Sequence, residues 1–190
     1  MTLHRITTAS RGTWQKAPRP SSSVSGLTTP PFGNSRLMSN KPPDPYHLDR
    51  FVQAQASDYE RALGELRAGK KRTHWMWYIL PQLQGLGSSE RSTFYAIRSI
   101  AEARAYIEHP LLGPRLKECV AALNALPGVS AAQVLGDVDA AKFRSCLTLF
   151  SQVEGQQSLF AQALNRYYQG EPDRQTLALL AAQHGEPGDA

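Results

Sequence analysis

The residues with the most chemical potential crowd into one stretch, Lys70 to Ser89, reading KKRTHWMWYILPQLQGLGSS. Lys70, Lys71 and Arg72 run into His74, Trp75, Met76, Trp77 and Tyr78, and Pro81, Gln82 and a Gly-x-Gly-Ser turn follow. A guanidinium such as Arg72 can grip a phosphate or carboxylate through two parallel hydrogen bonds. His74 would add a donor, Trp75 or Trp77 a flat face for a base or a cation, and Gln82 an amide. Gly87 and Ser88 lie in a turn whose backbone N–H groups could meet an anion. A second polar cluster, Lys142-Phe143-Arg144-Ser145, interrupts an otherwise apolar pattern. Lys142 and Ser145 are three apart and share a helix face, with Lys142 and Arg144 suited to anion contact. A lysine-activated serine would also need a third group and an oxyanion hole, and the sequence shows neither.

Every one of these features also has a structural explanation. Cations just past a helix C-terminus are stabilised by the helix dipole, by roughly 0.3–1 kcal/mol when exposed. Indoles near apolar residues pack into cores. Gly85 to Ser89 reads equally well as a turn followed by an N-cap; it lacks the lysine of a phosphate loop and the third glycine of a dinucleotide fingerprint. The five histidines show no metal-binding spacing, and Gly-x-Ser-x-Gly is absent. No metal or cofactor is implied, and whether the protein is an enzyme stays open.

The elements that must hold these residues are all helical. Leu48, Phe51, Val52 and Gln55 predict a short first helix. Ser57 and Glu60 form a capping box for a second, with Tyr59, Leu63 and Leu66 on its apolar face and Gly69 as a left-handed stop. Ser99 and Glu102 open a helix that Pro110 ends. Pro114 suits a first helical position, with Leu116, Val120, Leu123 and Leu126 as the buried stripe. Ser130 with Gln133 predicts a short helix, and Asp139 a cap for the next, where Phe143, Cys146, Leu147 and Phe150 follow helical spacing. Helices from Leu159 to Tyr168 and from Asp173 to Gln183 complete an all-α domain with short connections. Trp75 to Leu80 is apolar on every face and too short for periodicity to assign.

Residues 1–45 carry seven of the thirteen prolines and read as a disordered basic leader. The helical domain is expected over 46–183 and a frayed tail over 184–190. Residues 1–43 hold six Lys or Arg and no Asp or Glu, whereas 44–190 hold 15 basic and 16 acidic residues. The pI of about 9.4 therefore belongs to the leader, and it argues for no nucleic-acid partner of the domain. The leader is expected to reflect a start placed too far upstream, with Met38 the real initiator, against the alternatives of a genuine disordered tail or a targeting segment. From Met38 onward basic and acidic residues balance. No apolar run reaches the roughly 20 residues of a membrane helix. Cys119 and Cys146 lack paired spacing and read as buried free thiols, consistent with a cytoplasmic protein.

Three blocks in order, THWMWYILPQLQGLGSS, YAIRSIAEARAYIEHPLLGPRLKEC and KFRSCLTLF, closely resemble the bacterial family called domain of unknown function 1810. The resemblance spans about residues 46–180. It implies a compact all-α fold in a small cytosolic protein and no particular activity. Some members carry the label calpastatin, which nothing in this chain supports. The family pattern falls on Arg72, His74, Trp75, Trp77, Pro81, Gln82, Gly85, Gly87 and Ser88, and again on Lys142, Phe143, Arg144 and Ser145. Tyr95, His109, Pro110 and Gly113 also match. Leu80 replaces an aromatic, and Cys146-Leu147 stands where Ser-Met is common, so position 146 needs no hydroxyl.

The functional expectation is a pocket for a small anionic or nucleotide-like metabolite, lined by the 72–88 segment and the 142–145 helix start. The alternative is a structural or protein-interaction module whose aromatic segment is core. An enzyme acting on a phosphorylated metabolite ranks third.

Overall fold

The computed structural model describes residues 43–184; the expected leader, Met38 and the tail fall outside the described residues, apart from residues 43–45 and 184. Nine helices occupy the described residues: α1 Asp49–Arg67, α2 Met76–Ile79, α3 Glu90–Phe94, α4 Ile100–Glu108, α5 Leu112–Ala125, α6 Ala131–Leu135, α7 Asp137–Glu154, α8 Leu159–Tyr168 and α9 Arg174–His184. The all-α expectation holds. Strand-like pairing among these residues is limited to one parallel bridge, Leu83 to Ile97.

α7 is the central helix, packed against α4, α6, α8 and α9. Phe143, Cys146, Leu147, Leu149 and Phe150 are all fully buried, and with Ser145, Thr148 and Ser151 also buried the 145–151 stretch is enclosed on every face. α1 packs across α5 and α2 with Phe51, Leu63 and Leu66 inward. Cys119 and Cys146 are buried free thiols. Burial, with the charge of Glu118 adding to it, pushes the Cys119 thiol up to about 12. Thiols held this firmly protonated are poor nucleophiles.

Local signals fared unevenly. Gly69 adopts φ +66, with Gly69 N–H bonding Leu66 O at 2.9 Å and Lys70 N–H bonding Glu65 O at 3.0 Å, a Schellman stop. The short helix expected from Ser130 and Gln133 is present, opened by a reciprocal capping box between them. Four expectations need correction. The two helices anticipated over 48–66 are one continuous α1, because the buried stripe runs unbroken from Phe51 through Gln55 and Tyr59 to Leu66; Ser57 sits mid-helix and caps nothing. Asp139 lies in the first turn of α7 rather than capping it, since Gly136 at φ +81 turns the chain three residues earlier. Pro114 is the third residue of α5, where its missing N–H still costs nothing, and His109 Nδ1 accepts from Leu111 and Leu112 N–H at 3.1 and 3.3 Å to start that helix. At α4, Ser99 caps Glu102 N–H as expected, but the Glu102 side chain turns away to Arg98 N–H and Arg50.

Arg50 makes the densest polar junction. Its guanidinium donates to the carbonyls of Tyr46, His47, Phe94 and Ala96 at 2.6–3.0 Å and to Glu102 Oε1 at 2.5 Å. All its donors find partners, and this junction fixes the start of α1 against α4 and the C-terminal end of α3.

Candidate functional site

The 70–89 segment is anchored from α1 by one carboxylate. Glu65 Oε2 accepts from Arg72 N–H at 2.8 Å, Thr73 N–H at 3.1 Å and the Trp75 indole N–H at 2.8 Å, while Oε1 accepts from the Thr73 hydroxyl at 2.7 Å. Burial raises the Glu65 pKa, but these four hydrogen bonds outweigh it and hold the group down at about 2. Trp75 is fully buried with its one donor satisfied, so it is core. After it the chain makes the single turn α2, which buries Met76, Tyr78 and Ile79 and leaves Trp77 half-buried.

A second carboxylate joins this segment to α7. Asp139 accepts from Lys71 Nζ through Oδ2 and from Lys142 Nζ through Oδ1, both at 2.7 Å. Burial works to raise its pKa, and the two ammonium groups more than reverse that, keeping Asp139 below the usual carboxylate range. Lys71 also lies 5.1 Å from the Trp75 ring centre. Lys142 lies 5.1 Å and the Arg91 guanidinium 5.5 Å from that of Trp77. Two cations sharing one carboxylate leave this cluster net positive.

Beside it opens a cleft of about 260 Å³. Lys142, Ser145 and Ala141 of α7 form one wall, Gln82 and Leu86 another, and Asp173 and Gln175 at the start of α9 a third. Val138, 73% exposed, stands at the rim. Lys142 has three N–H donors and gives one to Asp139. Asp173 Oδ2 takes both bonds from Thr176, N–H at 2.8 Å and hydroxyl at 2.6 Å, and Oδ1 has no hydrogen bond among the described residues. The Ser145 hydroxyl donates back to Ala141 O at 3.3 Å. With Lys142 engaged by a carboxylate and Ser145 bonded to its own helix, the pair is not set up as a base and nucleophile.

Of the ten residues expected to bind ligand, the cleft gathers Gln82, Lys142 and Ser145, with Trp77 beneath Lys142. Arg72 and His74 are exposed and outside it; the Arg72 side chain has no hydrogen bond or ion pair among the described residues. Trp75 is core. Arg144 turns to Glu171, bonding its carbonyl and carboxylate at 2.9 Å each. Gly87 and Ser88 form an exposed turn before Ser89, which caps the five-residue α3. A side chain at Gly87 would come within 2.8 Å of Ser92, so glycine there serves turn packing. Among the described residues no group of three or more His, Cys, Asp or Glu is placed to hold a metal ion. No helix among them is long and apolar enough to cross a membrane.

Residues 45–180 match the family described as protein of unknown function (DUF1810). The chain belongs to this family. A solved structure, the conserved hypothetical protein Rv1873 from Mycobacterium tuberculosis, is 48% identical, with a TM-score of 0.71, covering 73% of this chain and 99% of that one. No functionally curated protein matches. In this DUF1810 chain, sequence reasoning missed Glu65, Leu86, Val138, Asp173 and Gln175 as parts of the region. Asp173 was legible only as the start of a helix. Its approach to Lys142 is a tertiary event with no local trace.

Proposed function

We propose that this cleft binds a small ligand through an anionic group received by Lys142, with the Ser145 hydroxyl and the Gln82 amide as further polar contacts. The observation that supports the reading is the convergence of these three side chains, from two separate segments, on one cavity beside the net positive Lys71–Asp139–Lys142 cluster. The cavity is smaller than the roughly 300–1,000 Å³ of pockets that enclose drug-sized ligands. That narrows the ligand to something smaller than a nucleotide. Binding is the function assigned; no reaction is.

Thermal melting of the full chain against inorganic phosphate, small carboxylates and phosphorylated metabolites tests this. A ligand at 100 times its Kd stabilises by about 2.7 kcal/mol. That shift should vanish in Lys142→Met, where Lys71 still pairs with Asp139. A flat panel, or a shift that survives the substitution, sinks the reading.

One observation favours the structural alternative for part of the segment. Trp75, its indole bonded to Glu65, is wholly enclosed. Thr73, Trp75 and the Arg72 backbone therefore belong to the scaffold, and the ligand reading rests on the Trp77 side.

A further inference from the structure

Lys142 is not the only charged group with spare capacity in the cleft. Across from it stands Asp173, whose Oδ1 has no hydrogen bond among the described residues, while Oδ2 holds the first turn of α9 through Thr176. Asp173 is itself fixed from behind, because its backbone N–H donates to Thr148 Oγ1 of α7 at 2.8 Å. Neither charged group neutralises the other by a direct ion pair: Lys142 pairs with Asp139 through one of its three donors, and Asp173 pairs with no cation among the described residues. The cleft thus offers ammonium donors and a carboxylate acceptor within one small cavity. Two uncharged amides, Gln82 and Gln175, stand beside them, and the apolar stretch of Leu86, Val138 and Ala141 completes the lining.

A plain anion would leave Asp173 facing it, a like-charge juxtaposition that works against binding. A molecule carrying both signs satisfies both groups, and a short methylene segment suits the apolar residues. We infer that the ligand is a small zwitterion of amino-acid size, its carboxylate on Lys142 and its ammonium on Asp173. This rests on the reading that Lys142 receives an anionic group, and it specifies what else the ligand must carry.

Calorimetric titration of the full chain with two matched series tests it: ω-amino carboxylates with one to four methylenes, and alkyl carboxylates of the same lengths without the amine. One amino carboxylate should bind about threefold to fivefold more tightly than its amine-free counterpart, the size expected of a partly solvated charge contact. Asp173→Asn should erase that advantage. Asparagine is as good a helix cap as aspartate, so α9 and the melting temperature should hold. Equal binding of the two series, or an amine preference that survives Asp173→Asn, overturns the zwitterion while leaving the anion site standing. Binding of phosphate without either series does the same. No binding by any of these compounds removes both.

Discussion

Trp75 has no exposed surface and gives its indole N–H to Glu65, whereas Trp77, two residues on, is half-buried with Lys142 and Arg91 over its ring. The first belongs to a closed polar knot in which one carboxylate collects four donors from a loop. The second borders an open cleft whose charged groups keep donors and acceptors to spare. The difference shows that a run of cations and indoles need not be one site. Hydrogen-bond satisfaction divides it: where every polar atom already has a partner, the residues specify the fold, and where capacity remains, a ligand has something to bind.

The largest test of this division is Trp75→Ala. Losing a wholly enclosed indole should cost about 3–5 kcal/mol in denaturant unfolding. Trp77→Ala, removing a side chain only partly enclosed, should cost about 1–2 kcal/mol by the same measurement. Equal losses at the two positions would erase the distinction.

Next in size is Glu65→Gln, which replaces an acceptor-only group by one bringing its own N–H donors against three N–H groups and a hydroxyl. A loss of about 2 kcal/mol is expected. The acid response sharpens it. A carboxyl whose folded pKa is about 2, below its ordinary 4.5, contributes stability fully present above 4.5 and lost as pH falls toward 2. Melting temperatures of the wild type and Glu65→Gln should therefore converge across that window; a constant gap would mean that the Glu65 charge is not what holds the loop.

The smallest effect belongs to Arg72→Ala. An exposed guanidinium with no partner among the described residues should change stability by less than about 0.5 kcal/mol and leave binding at the Lys142 cleft intact. Lost binding there would extend the site toward the knot.

The helices were legible where caps and stripes agree locally. Ser130 with Gln133, Gly69, and the Leu159–Tyr168 helix came through intact because their signals act over a few residues. Ser57 and Glu60 misled for the converse reason: a valid capping sequence sat inside a stripe whose tertiary burial against α5 carries the helix straight through. Asp139 looked like a cap, yet the glycine at 136 already turned the chain, which freed the carboxylate to pair with two lysines. At the site, Lys142, Ser145 and Gln82 were visible as polar residues out of place in apolar surroundings. Asp173 and Glu65 were not, because their roles depend on partners brought close only by packing.

Arg50 has a topological consequence. By tying the start of α1 to the carbonyls of Phe94 and Ala96 and to Glu102, it closes a loop that contains the whole of α1, the indole segment and α3. Ring closure of that length carries an entropic cost that grows only slowly with added residues, so insertions in the exposed 85–89 turn should be absorbed far more easily than any change at the clasp. Lysine at position 50 could supply the charge but not the planar fork of donors. The chain thus carries a buckle: open it, and the first helix and the fourth lose their common register before any part of the apolar interior has been disturbed.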